Sequence, residues 1–103
     1  MTVIDDVRTG GHAPERQRIR MSAREREVLT TYVLGATVTV TAAEHFIGEA
    51  TVRTHYRRVV ERYAAVGRPV GNRVQLLLLM VADGWIDLDD ALRRIDQATG
   101  AMQ

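Results

Sequence analysis

The 103-residue sequence contains no cysteine and no lysine. The first absence excludes disulfides and thiolate chemistry. The second leaves all fourteen basic positions to arginine, whose planar fork suits phosphate and guanine. Arginine codon bias in a GC-rich genome would produce the same preference without any functional demand. Apolar runs are also short. The longest, Leu76 to Ala82, falls well below the roughly 18 residues that would suggest a membrane span. The first twenty residues carry early acids and no apolar stretch, so no signal peptide is read and the expected location is the cytoplasm. The histidines, His12, His45 and His55, are too scattered for a metal-ligand set. No Ser/His/Asp set or carboxylate pair has a catalytic context, so neither an enzyme activity nor a cofactor is expected.

What is present is one domain's worth of chain with ordinary hydrophobic content and a net charge of only +1. The charge is segregated. Six arginines lie between Gly48 and Arg73 against Glu49 and Glu61, whereas five aspartates lie between Asp83 and Asp96 against Arg93 and Arg94. A near-neutral protein can therefore present one basic face and one acidic end.

Residues 1–19 read as a flexible arm, because Gly10, Gly11 and Pro14 break any periodicity. Its arginines, Arg16 and Arg18 with the adjoining Arg20, could touch a nucleic-acid backbone, although a solvated tail needs no partner. Ser22 with Glu25 forms a capping box that opens a helix. Val28, Leu29, Tyr32 and Val33 give that helix its buried stripe, and Gly35 terminates it. A second clear helix runs from Gly48 to about Ala65, with Val52, Tyr56, Val59 and Tyr63 on one face. Arg53, Thr54, Arg57 and Arg58 lie away from that face. Residues 66–72 form a loop, and Asn72 with Gln75 caps the next helix, which Gly84 ends. Its leucines, Leu76, Leu77, Leu78 and Leu79, are consecutive and occupy all sides. One side needs a partner, so these residues with Met80 are the expected dimer interface. Asp87 and Asp90 start a last helix, with a stripe of Leu88, Ala91, Leu92, Ile95 and Ala98.

Between the first two clear helices, Thr37 to Thr41 alternates Thr and Val like a strand. A lone five-residue strand has no visible partner for its backbone. The thirteen-residue spacing from Gly35 to Gly48 calls for a short helix instead, capped by Thr37 or started by Thr41 with Glu44, with Val38 or Val40 and Ala42 inward. Its β-branched residues each cost about half a kcal/mol relative to alanine, so it should be the least stable helix.

Two helices joined by a short turn, the second with surface arginines, is the plan of a helix-turn-helix DNA reader. The motifs sharpen this. Ser22, Arg24, Glu25, Glu27, Val28 and Leu29, then Gly35, then Gly48, Thr51, Val52, Arg53 and His55 stand at their required spacings. From Arg20 to Leu88 the chain resembles the DNA-binding domain of the LuxR/NarL (GerE-type) family of bacterial regulators. The continuation Tyr63–Gly67, Arg68, Pro69, Leu76, Asp83 and Gly84 is similar to actinobacterial members. The sequence departs from the family at Val40, at His45 (with Phe46 or Ile47 able to supply the missing apolar bulk) and at Gly48, where the family has Ser. The loop after Val66 is also longer. "VGRP" at residues 66–69 lacks the first arginine of an Arg-Gly-Arg-Pro minor-groove hook and reads as a turn.

The resemblance implies an all-α, four-helix helix-turn-helix domain at residues 20–86, here with the arm before it and an extra C-terminal helix and tail at 87–103. It implies that the third helix enters the major groove, with Arg53, Thr54 and Arg57 at the base-contacting positions. Thr51, Arg58 and Arg62 are placed for phosphates. The expected function is a homodimeric transcriptional regulator on double-stranded DNA, located at the nucleoid. The rival is a module of the same shape that docks on RNA polymerase, a sigma factor or another regulator.

Overall fold

A computed structural model describes residues 19–101, with side chains as far as Gln97. Five α-helices lie in that range and no strand does: α1 (Ala23–Val33), α2 (Val38–His45), α3 (Glu49–Ala65), α4 (Arg73–Ala82) and α5 (Leu88–Ala101). The expected arm and tail lie almost wholly outside it. Ile19, read as the end of the arm, is buried in the core.

Local chemistry sets most helix starts. The Ser22 hydroxyl accepts from the Glu25 amide, and Glu25 Oε1 accepts from the Ser22 amide, both at 3.0 Å. Thr37 Oγ1 accepts from the Val40 amide at 3.0 Å, so the alternating Thr/Val stretch is helix α2. Asn72 Oδ1 caps the Gln75 amide at 2.9 Å, and Asp87 Oδ1 caps the Asp90 amide at 3.0 Å. Helix α3 is the exception. Its N-cap, Gly48, offers no side chain.

Two apolar clusters hold the helices. The larger joins Leu29 and Val33 of α1, Val59 and Tyr63 of α3, and Leu76 and Met80 of α4, with Ile19, Ile86 and Ala91. The smaller, Val28, Ala42 and Val52 with Val38 and Ile47 against them, fixes α2 across α1 and α3. Val38 is thus the inward valine of α2, whereas Val40 is 47% exposed. Thr41 takes a fully buried position, and its hydroxyl has no hydrogen-bond partner among the described residues. A buried polar group without a partner costs about 1–3 kcal/mol, which adds to the poor helix propensity of this segment.

Two expectations need correction. Leu76 and Met80 are fully buried in their own chain's core and cannot form a dimer surface. Of the expected interface residues, Leu77 and Leu79 are half-buried against the core and Leu78 points outward at 62% exposure, beside the equally outward Val74. The stripe of α5 does not pack as a unit. Only Ala91 is buried, while Leu88, Leu92 and Ile95 stay exposed; residue 98 lies beyond the described side chains. Of the two residues able to supply the missing apolar bulk beside His45, Ile47 does so, packing against the smaller cluster. Phe46 ends α2 in the left-handed conformation, φ 57°, with its ring in solvent.

Candidate nucleic-acid interface

Helix α3 separates its faces by periodicity. Val52, Val59 and Tyr63 are buried and Tyr56 is half-buried. Arg53, Arg57 and Arg58 are exposed, and Thr54 is half-exposed between them. Four residues separate Arg53 from Arg57, which puts them one turn apart on one face. Each is held loosely by a glutamate: Arg53 Nη2 to Glu49 Oε1 at 3.3 Å, and Arg57 Nη1 to Glu61 Oε2 at 3.6 Å. All four side chains are solvent-exposed, and such i,i+4 pairs contribute only about 0.3–0.5 kcal/mol. Both forks can leave their glutamates at little cost. Arg58 makes no ion pair among the described residues.

The start of α3 is set against α2. Glu49 Oε2 accepts from Thr39 Oγ1 at 2.9 Å, linking the two helices across the turn. Thr51 is exposed in the first turn, but its amide already donates to Gly48 O at 3.1 Å. The uncommitted donors of that turn are therefore the amides of Glu49 and Ala50. Beside the arginines, Tyr32, Val38, Val52 and Tyr56 floor a mostly apolar cleft of about 350 Å³, with Arg53, Thr54 and Arg57 at its edge. Tyr32 and Tyr56 meet edge-to-face at 5.5 Å. Arg73 braces them, stacked 4.9 Å over Tyr32 and donating to the carbonyls of Tyr32 and Ala36.

Arg62, on the same helix, has a different job. Its two terminal nitrogens reach both Glu25 oxygens, at 2.7 and 3.0 Å, and Nη1 also donates to Arg20 O at 3.0 Å. The Glu25 side chain is only 8% exposed. The Arg62 fork holds the Glu25 carboxyl below its ordinary range, and the same bond raises Arg62. Since Glu25 closes the capping box, this pair locks α1, α3 and the entering chain together. Arg68 likewise turns inward. It reaches both oxygens of buried Asp83 at 2.9 and 2.7 Å and lies over Tyr63, whose hydroxyl donates to Asp83 Oδ2 at 3.1 Å. The "VGRP" segment is thus a structural turn. Sequence reasoning missed Asp83 as a buried anchor, because a lone aspartate before a glycine reads as an ordinary helix end.

His55 sits on the side of α3 that faces α1. Burial pushes its pKa down; Glu25 opposes this, while Arg58, Arg24 and Arg62 reinforce it. Its Nδ1 has no partner among the described residues. His45 ends α2 with Nε2 2.7 Å from Thr31 Oγ1, and its carbonyl accepts from Arg24. Among the described residues no group of three His, Asp or Glu could hold a metal, and no helix is long and apolar enough to cross a membrane.

A short helix set across a longer one with exposed arginines, both braced by a third, is the helix-turn-helix arrangement. Residues 20–80 match the model of the family described as bacterial regulatory proteins, luxR family. The chain belongs to that family and carries its DNA-binding domain. It is similar to the probable transcriptional regulatory protein NarL of Mycobacterium tuberculosis, in strains CDC 1551 / Oshkosh and ATCC 25618 / H37Rv alike. Each is 40% identical over 72 residues, covering 64% of this chain and 33% of the relative. The chain thus spans about a third of the length of the curated relatives it matches. No solved structure matches it.

Proposed function

We propose that the protein regulates transcription by placing α3 in the major groove of double-stranded DNA as a homodimer. The observation that carries this reading is the contrast within α3. Arg53 and Arg57 project together into solvent with only weak glutamate partners, on the helix whose other side anchors the fold. Either guanidinium can grip guanine O6 and N7, a contact that discriminates by about 1–3 kcal/mol. Thr54 lies between them, and the apolar cleft beside them suits a thymine methyl. Arg58, Thr51 and the amides of Glu49 and Ala50 are the phosphate contacts of this reading. Arg62 is withdrawn from that set, because its fork is committed to Glu25. The dimer surface is redrawn as the outward side of α4, Leu78 and Val74, with the half-buried Leu77 and Leu79 at its edges.

Selection from random duplexes, followed by binding at several salt concentrations, tests the reading. A defined motif with affinity falling steeply as salt rises supports it. Recovery of no motif favours the rival, a module docking on RNA polymerase or another regulator. The fully exposed Phe46, held at positive φ in the turn, is the feature that speaks for that rival. Light scattering tests the dimer: Leu78→Glu should yield monomers, and a wild-type monomer at micromolar concentration removes the homodimer from the proposal.

A further inference from the structure

Helix α5 begins beyond residue 80, where the family match ends. DNA reading makes no demand on it. Of its described side chains only Ala91 is buried. Leu88, Leu92 and Ile95 recur at i, i+4 and i+7 and are 56%, 52% and 46% exposed. That spacing is the seam of a two-helix coiled coil, not the wider stripe of a helix buried in a globular core. A seam left in water is an association surface.

The charges beside the seam say what fits it. Asp90 is taken by Arg93 and Arg94, Asp87 caps the helix, and Asp83 is buried against Arg68. Asp89 and Asp96 have no ion pair or hydrogen bond among the described residues. They stand seven apart, one step beyond Leu88 and Ile95, so both flank the same edge of the seam. The opposite edge carries Ala91, already packed into the domain.

We propose that this face of α5 docks a basic amphipathic helix of another protein, with apolar residues on Leu88, Leu92 and Ile95 and Lys or Arg against Asp89 and Asp96. A second copy of the chain fits poorly. In an antiparallel pair Asp89 of one copy falls beside Asp96 of the other, and like charges meet. In a parallel pair the aspartates face the uncharged Ala91 edge. Neither arrangement pairs the free carboxylates, whereas a basic helix pairs both.

Two synthetic helices with the same Leu/Ile seam, one flanked by lysines and one by glutamates, serve as probes in calorimetric titrations of the full chain. The lysine peptide should bind at least tenfold more tightly than its glutamate twin at low salt. Asp89→Lys with Asp96→Lys should reverse that order, and Leu92→Gln should remove binding of both. These positions are exposed, so circular dichroism should show the variants folded. Equal binding of the two peptides, no binding at millimolar concentration, or indifference to Leu92→Gln overturns the proposal. So does a wild-type dimer that Leu92→Gln dissolves, since the face would then be occupied by a second copy. DNA binding is unaffected in every expected outcome, which separates failure here from failure of the DNA reading.

Discussion

Arg62 and Arg57 stand five residues apart on one helix, yet they belong to two different regions of the molecule. Arg62 faces a carboxylate that is itself buried, Glu25, and the pair closes a capping box and joins three chain segments. Arg57, like Arg53, faces an exposed glutamate one turn away. The residue type is the same and the helix is the same. What differs is the burial of the partner. A buried carboxylate cannot release its arginine without being left unpaired in a poor solvent. An exposed one returns to water, so its arginine is available to another anion. Arg68 on buried Asp83 falls with Arg62, and Arg58 falls with Arg57.

The division can be broken from the inside first. Arg68→Ala strands Asp83 in the core with only the Tyr63 hydroxyl, and should cost about 3 kcal/mol in urea unfolding. Arg62→Ala should cost about 2 kcal/mol, because it removes charge-assisted bonds to Glu25. The same pair gives a pH signature. The Glu25 pKa is lowered in the fold, mainly by Arg62. Its contribution is therefore complete above the unfolded value near 4.5 and is lost as pH falls through the lower folded value. His55, also lowered, acts earlier. Below its unfolded value near 6.5 the unfolded chain binds the proton first, so stability declines as pH falls. Arg62→Ala should flatten the lower of these two phases.

Smaller effects sharpen the comparison. Thr41→Val removes the unpartnered buried hydroxyl and should raise stability by about 1 kcal/mol. On the reading side, Arg53→Ala and Arg57→Ala should change stability by less than about 0.5 kcal/mol. Gly48→Ser should gain a few tenths of a kcal/mol, roughly the difference between the two caps. Gly48 has the extended backbone of an N-cap, and an added Cβ meets nothing within 4 Å. A loss of stability there would mean that the glycine is required for its backbone.

The helices were legible because their starts are encoded locally. Ser22, Thr37, Asn72 and Asp87 each use a side chain to hold an amide three residues on. The exposed arginines of α3 were legible from periodicity against Val52 and Val59. What could not be read were tertiary pairings. Arg62 and Arg58 look alike in sequence, and only the 37-residue jump to Glu25 distinguishes them. Four consecutive leucines declare no direction. Only the packing against Leu29 and Tyr63 turns Leu76 and Met80 inward and leaves Leu78 outside. The same holds for α5, whose stripe is real but mostly uncovered.

The central claim is that the loosely paired arginines of α3 read DNA while the tightly paired ones hold the fold. The most direct measurement is affinity for the selected duplex and for a scrambled one, across a salt series, for Arg53→Ala, Arg57→Ala and Arg58→Ala. The first two should lose most of the difference between the two duplexes while remaining as stable as wild type. Arg58→Ala should weaken both duplexes alike and lower the salt dependence. If Arg53→Ala and Arg57→Ala both keep full sequence preference, the account is wrong.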